Sequence, residues 1–112
     1  MLVRISPLFG KYKVEEFDNA PFTENATIGF SAGERAAVRV HAKVANVLNG
    51  QLKDNNGTLK GMVASTMMYG SDAQMALEGA LAQGFNNGMK YKVENSKVTL
   101  TNGPHTVVLA PW

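Results

Sequence analysis

The chain contains no cysteine. That excludes structural disulfides, Cys-based zinc sites, iron–sulfur clusters and thiol catalysis. It also makes a reducing compartment the simpler setting, so a cytoplasmic location is expected, with a place at the membrane periphery or on a secretory route as the alternative. Long apolar runs are missing too. None approaches the ~20 residues that span a bilayer, so no transmembrane segment is expected. The opening Met1-Leu2-Val3-Arg4-Ile5-Ser6-Pro7 has neither an apolar h-region nor a cleavage-site pattern, so it does not read as a signal peptide, although a processed precursor would look the same. An excess of one charge is absent: eleven basic side chains face nine acidic ones, for a net charge of +2. With basic residues scattered and aromatics not interleaved among them, nucleic acid is not an expected partner. The pI near 9.0 adds little, because few groups titrate near neutrality.

What is present suits one domain. The 112 residues form a single unit over 1–112, with no linker, repeat or low-complexity stretch. At 45% hydrophobic and 18% charged the chain is globular rather than disordered. Leu8 to Phe17 carries Tyr12, Val14 and Phe17 near a period of two, which predicts a first strand. Asp18-Asn19-Ala20-Pro21 reads as a turn, Thr27 to Phe30 as a second strand, and Ser31-Ala32-Gly33-Glu34 as another turn. Arg35 to Val47 alternates, with Val38, Val40, Ala42 and Val44 on one face and Arg35, Arg39, His41 and Lys43 on the other. Leu48 and Leu52 extend that pattern across Gly50, where a bend or bulge is expected.

Asn56-Gly57 tolerates positive φ and predicts a tight hairpin between Gln51–Lys53 and Thr58–Val63. Ser71 is a good N-cap. Ala73, Leu77, Leu81 and Phe85 then recur every four residues, one stripe of a helix widened by Ala80 and Gly84. Asn86-Asn87-Gly88 supplies the left-handed stop. Two strands follow, Met89 to Val93 and Lys97 to Thr101, and Asn102-Gly103-Pro104 turns into Thr106 to Leu109. Strands, one late helix, then strands again make an α+β fold, with no β-α-β series for a parallel sheet.

Candidate chemistry is thin. His41 and His105 have no metal-ligand spacing, and His41 falls on the polar face of its strand. Ser65-Thr66 would need an adjacent base to act as a nucleophile, and no GxSxG surrounds it. The plain reading is that these hydroxyls hydrogen-bond the loop leading into the helix. Glu78 is either a lone acid or a helix carboxylate anchoring a neighbouring strand's backbone or Thr66. Glu15-Glu16 alternate faces on a strand and cannot act on one atom together. Gly79, Gly84 and Gly88 make no phosphate loop; small residues there permit close helix–sheet packing. Asn25-Ala26-Thr27 and Asn56-Gly57-Thr58 match the glycosylation sequon by chance. No metal and no cofactor is expected.

Methionine is the compositional oddity. Met62, Met67, Met68, Met75 and Met89 bracket the helix. Flexible thioethers fill irregular cores and also line adaptable binding surfaces. Core filling at the helix–sheet seam is the plain reading for most of them. Yet Met67-Met68-Tyr69 lies in a loop without periodicity, and Met75 falls off the helical stripe.

One ordered series of signatures links these segments: Asn46-Val47-Leu48-Asn49-Gly50-Gln51-Leu52, then Ala64-Ser65-Thr66-Met67-Met68, then Glu78 with Leu81 and Phe85, then Lys97-Val98-Thr99-Leu100. In order and spacing it resembles the META domain family, with its HslJ-like bacterial members and kinetoplastid META-type proteins. The resemblance covers about residues 8 to 110. It implies a small antiparallel curled sheet, a partial barrel, packed around one α-helix, with Asn46, Gly50 and Glu78 as structural motif residues. Bacterial members often carry Gly-Cys-Asn where this chain has Val44-Ala45-Asn46, and a second cysteine near Gly70. The joint loss of both suits a reducing compartment. Arginine is common where Met67 stands, so a role resting on that charge does not carry over.

The resemblance implies a non-enzymatic binding or interaction module associated with stress response, virulence or secretory processes, with an unknown protein as partner. The alternatives are a lipid or acyl-chain carrier resembling secretion pilot proteins, whose curled sheet encloses an apolar groove, and an uncharacterised enzyme, against which the missing catalytic constellation argues. The expected binding residues are Ser65, Thr66, Met67, Met68 and Tyr69, beside a helix start whose free N–H groups favour an anionic group. The competing reading makes this loop a plug that buries its methionines at one end of the barrel.

Overall fold

The computed structural model describes residues 6–112; most of the opening segment read for a signal peptide, Met1 to Ile5, lies outside them. Ten strands and one α-helix follow in the order β1 (Gly10–Phe17), β2 (Ala20–Pro21), β3 (Thr27–Ala32), β4 (Val38–Lys43), β5 (Val47–Asn55), β6 (Thr58–Lys60), β7 (Val63–Ser65), α1 (Asp72–Asn87), β8 (Met89–Glu94), β9 (Lys97–Asn102) and β10 (His105–Pro111). All pairings are antiparallel. The sheet runs β10-β9-β8-β6-β5-β4-β3-β1, and β10 pairs with β1, so eight strands close into a barrel. The expected partial barrel is therefore a closed one. Closure removes the open edges that a curled sheet would leave for aggregation.

The local signals account for most elements. Asp18 and Asn19 both take positive φ, as do Asn56 and Gly57, which is the two-residue turn whose twist matches a hairpin. Strand β4 reads buried–exposed in strict alternation. Ser71 caps α1 through a full capping box with Gln74. Asn95-Ser96, also at positive φ, joins β8 to β9.

Three strand expectations need correction. The alternating stretch Arg35–Val47 is not one strand prolonged across Gly50. Arg35 and Ala36 take positive φ in a single 3-10 turn, Glu34–Ala36, so the strand starts at Val38. The chain then reverses at Val44–Asn46, where the Val44 N–H donates to the Asn46 carbonyl at 2.9 Å, and β5 returns antiparallel to β4 with Ala42 opposite Leu48. Gly50 sits inside β5. There a Cβ would lie 2.6 Å from the Met62 carbonyl oxygen and 3.1 Å from Val63. Glycine is required because the Met62 carbonyl and Val63, where the chain enters β7, press close against it, not because the strand bends. The second hairpin arm also divides. β6 pairs with Lys53–Asn55, the chain kinks at Gly61–Met62, and β7 pairs with Leu48–Gly50 further along the same strand.

The barrel is filled. Tyr12, Ile28, Phe30, Val40, Leu48, Leu52, Leu59, Leu100 and Leu109 point inward, and Leu77, Leu81 and Phe85 of α1 join them in one cluster. Phe85 meets Phe30 edge to face, centroids 6.4 Å apart. Ala73, expected on the buried stripe, is exposed, so the packed face begins at Leu77. Gly84 is buried where a Cβ would lie 2.3 Å from the Met89 methyl, while nothing lies within 4 Å of a Cβ at Gly79. Close packing thus explains the first glycine and not the second. Among the described residues no helix is long and apolar enough to cross a membrane.

Candidate functional site

Asn46 stands at the centre of the site. It lies in the β4–β5 reversal and is buried. Its side chain is saturated. Nδ2 donates to Glu78 Oε1 at 2.8 Å and to the Met68 carbonyl at 2.9 Å. Oδ1 accepts from the Thr66 hydroxyl at 2.9 Å and the Met68 N–H at 2.6 Å. That is every bond a side-chain amide can make. Glu78, buried in the second turn of α1, accepts on Oε2 from the N–H groups of Ala45 at 2.8 Å and Asn46 at 2.6 Å. The anchoring reading of Glu78 is what the geometry bears out, with the strand reversal as the backbone it holds. Thr66 completes the clasp. Its Oγ1 accepts from the Val47 N–H at 3.1 Å, and its own N–H donates to the Val47 carbonyl at 3.1 Å.

These contacts leave the candidate catalytic groups engaged. The Ser65 hydroxyl donates to the Thr66 carbonyl at 2.8 Å, and no imidazole accompanies it. His41 is exposed on β4, its Nδ1 2.6 Å from Asn49 Oδ1. His105 lies at the β1–β2 turn with Nδ1 2.8 Å from Asp18 Oδ2. Among the described residues no three of His, Asp and Glu gather as metal ligands would, and no buried side-chain nitrogen or oxygen lacks a partner. Glu15 is drawn off to Lys97 at 2.8 Å.

Above the clasp the loop is apolar and open. Met67 is 95% exposed, Met68 57% and Tyr69 99%. Met75, off the buried stripe as its spacing suggested, and Met62 are exposed too. Only Met89 of the five methionines around the helix is core. The core-filling reading fails for the other four, and the plug reading of the loop fails with it. The reason is that Asn46 binds the loop through the Met68 backbone, which turns the side chains outward. Met67, Met68, Tyr69 and Met75 border a depression of about 260 Å³ whose floor includes Asn46 and Glu78. Ser65, Thr66, Met67, Met68 and Tyr69 all line this depression, Thr66 as support and the last three as surface.

The helix start is already served. Ser71 Oγ accepts from the Gln74 N–H at 3.1 Å and donates to Glu24 Oε2 at 2.5 Å, and Asp72 stands in the first turn. Two carboxylates occupy the positive end of the dipole, so the expectation of an anionic ligand there loses its ground. Glu24 was invisible as a neighbour because 47 residues separate it from Ser71. Ala45 and Gly70 also meet. A Cβ on Gly70 would lie 2.4 Å from the Ala45 Cβ. The two places where the sequence resemblance implies cysteines are therefore neighbours, and in this chain they hold alanine and glycine.

The family model described as META domain matches residues 6–111. An NMR structure of a protein superposes with a TM-score of 0.77 at 19% identity, covering 96% of this chain and 95% of that one. At that identity the likeness concerns the fold. No curated protein matches the sequence.

Proposed function

Because the chain belongs to the META domain family, we propose that it is a non-enzymatic interaction module that docks an apolar segment of a partner protein on the Met67–Met68–Tyr69 lip, with Met75 as its far wall. The observation that carries this reading is the contrast between the base and the lip. Asn46, Thr66 and Glu78 hold the loop backbone with a fully satisfied network, while the side chains above it are left in water. Exposed methionine and tyrosine over a fixed backbone offer adaptable apolar contact with little ordering cost in the loop itself. Tyrosine adds a rigid amphipathic anchor of the kind enriched at binding hot spots.

The lipid-carrier alternative is less well supported. The barrel interior is filled by side chains, and the helix start that would have met a headgroup is occupied by Ser71, Glu24 and Asp72. The cellular setting we attach to the module is the one the family resemblance implies, stress response, virulence or secretory processes. The test pairs Met68→Ser with Tyr69→Ser. Unchanged thermal unfolding with lost binding to a partner recovered by pull-down supports the lip. Unchanged binding in both variants rejects it. Lipid retained stoichiometrically in native mass spectrometry would favour the carrier.

A further inference from the structure

A second surface, sharing no lining residue with the lip, lies on the outer face of β1, β3 and β4. Its floor is Gly29. Strand β3 pairs with β4 in unbroken register from Thr27 opposite Lys43 to Ala32 opposite Val38, so no bulge calls for a glycine there. Gly29 is not among the positive-φ glycines. A Cβ at Gly29 would meet only ordinary contacts, the nearest being the His41 carbonyl oxygen at 3.8 Å. Neither backbone conformation nor close packing requires glycine, and glycine weakens a strand interior. What its absent side chain does is leave a notch. The depression measures about 540 Å³, within the range of small-ligand sites.

The walls are cationic and aromatic. Lys11 is directly opposite Gly29 on β1 and His41 directly opposite on β4. Lys43 lies two residues along β4 on the same face. Trp112 closes one side, 75% exposed. It is fixed there by its backbone N–H, which donates to the Lys11 carbonyl at 3.0 Å, and by the Lys11 ammonium 6.0 Å from its ring centroid. No Asp or Glu lines the depression. Among the described residues neither Lys11 nor Lys43 forms an ion pair. These cations are far apart in sequence and look scattered there. They converge because β3 brings β1 and β4 to within two strand spacings, about 10 Å.

We propose that this notch binds a small planar anion of the nucleotide class, with its flat ring against Trp112 over Gly29 and its phosphate groups between Lys11 and Lys43. A ring alone would leave the ammonium groups unused, and a phosphate alone would leave an exposed indole beside a vacant floor. A ligand carrying both complements the whole surface.

Trp112 is the single tryptophan of the chain, so its emission reports this site. Titration with ADP is expected to quench it saturably, less so at high salt. Adenosine and ribose 5-phosphate, each lacking one half of the chemistry, are expected to bind at least about tenfold more weakly. Gly29→Leu fills the notch and should abolish quenching while its thermal unfolding matches the wild type. Lys11→Gln with Lys43→Gln should weaken ADP by about tenfold or more. Absence of saturable quenching, or equal affinity in the folded Gly29→Leu protein, would overturn the proposal. If Gly29→Leu does not fold, the double lysine variant decides between the same two outcomes. Affinity that grows with the length of an oligonucleotide would replace the single-ligand notch by a groove and so overturn it too.

Discussion

Glu78 and Asn46 are joined twice: the carboxylate accepts the Asn46 backbone N–H at 2.6 Å on one oxygen and its side-chain Nδ2–H at 2.8 Å on the other. A helix residue thus holds a strand reversal 32 positions earlier in the chain. Removing the carboxylate, Glu78→Ala, strands three donors: Ala45 N–H, Asn46 N–H and one Nδ2–H. It should cost ~3–5 kcal/mol in denaturant unfolding. Glu78→Gln should cost ~1–3 kcal/mol, because an amide presents a donor to one of these donors. Flipping Asn46 does not help, since its NH₂ would then face the Met68 N–H. A loss below ~1 kcal/mol in Glu78→Ala would show that the clasp is not what holds the reversal.

Two glycines should respond in opposite directions. Gly50→Ala drives a Cβ to 2.6 Å from the Met62 carbonyl oxygen. Backbone cannot swing aside as a side chain can, so a loss of ~1–3 kcal/mol is expected. Gly79→Ala on the exposed face of α1 meets nothing within 4 Å. It should gain ~0.5–1 kcal/mol from helix propensity and a less flexible unfolded chain. Thermal melts of both variants check the signs. A neutral Gly50→Ala would remove the close approach of the Met62 carbonyl as the reason for that glycine.

The helix, its cap, the turns at Asn19, Asn56 and Asn95, and the inward face of β4 were legible because their causes are local: a period, a cap, a residue that accepts positive φ. The reversal at Val44–Asn46 was not, because no glycine or proline makes it. It is held from outside by Glu78, and the alternating pattern runs on through it unbroken. Barrel closure was not legible either, since Tyr12 opposite Pro111 leaves no trace in either segment. The motif residues of the site could be named from the family resemblance. Their roles could not, because which side of the loop faces water is decided by where Asn46 binds Met68. The gathering of Lys11, His41 and Lys43 around Gly29 likewise exists only once the strands are in register.

Acid should weaken the β1–β2 corner. Burial tends to raise the Asp18 carboxyl, but this is outweighed by the Thr106 N–H at 2.9 Å and the His105 imidazole at 2.8 Å, which hold it below its ordinary value. A depressed folded value stabilises above the unfolded pKa of ~3.9 and is lost as pH falls through the lower folded one. The pair is about two-fifths exposed, so screening limits the effect to a few tenths of a kcal/mol. Asp18→Asn keeps the residue type that tolerates positive φ at this turn. Its small deficit at pH 6 should vanish by about pH 2. A deficit that persists there would place the effect in the turn backbone instead.

Packing at α1 separates core from surface within one helix. Leu81 is fully buried, and Leu81→Ala should cost ~2–5 kcal/mol, the upper part of that range if the closed barrel cannot collapse onto the space. Met75→Ala, on the exposed side, should stay within ~0.5 kcal/mol of the wild type. Comparable losses in the two would contradict the division of the helix face.

Methionine oxidation offers a test that ties the loop's exposure to its proposed role. Peroxide converts a thioether to a sulfoxide with release of water, and access governs which methionines react first. Met62, Met67, Met68 and Met75 are exposed, whereas Met89 is buried against Gly84. Mild treatment should therefore add oxygen to those four ahead of Met89, as read by peptide mass mapping. The fold should survive, because none of the four is part of the core cluster and the clasp uses only the Met68 backbone. Partner binding should fall, since a sulfoxide is polar and the lip would no longer offer apolar contact. Met67→Leu with Met68→Leu should resist that loss while remaining apolar. Binding that survives complete oxidation of the lip would show that its methionines do not contact the partner. Unfolding at the same dose would show that at least one of them supports the barrel after all.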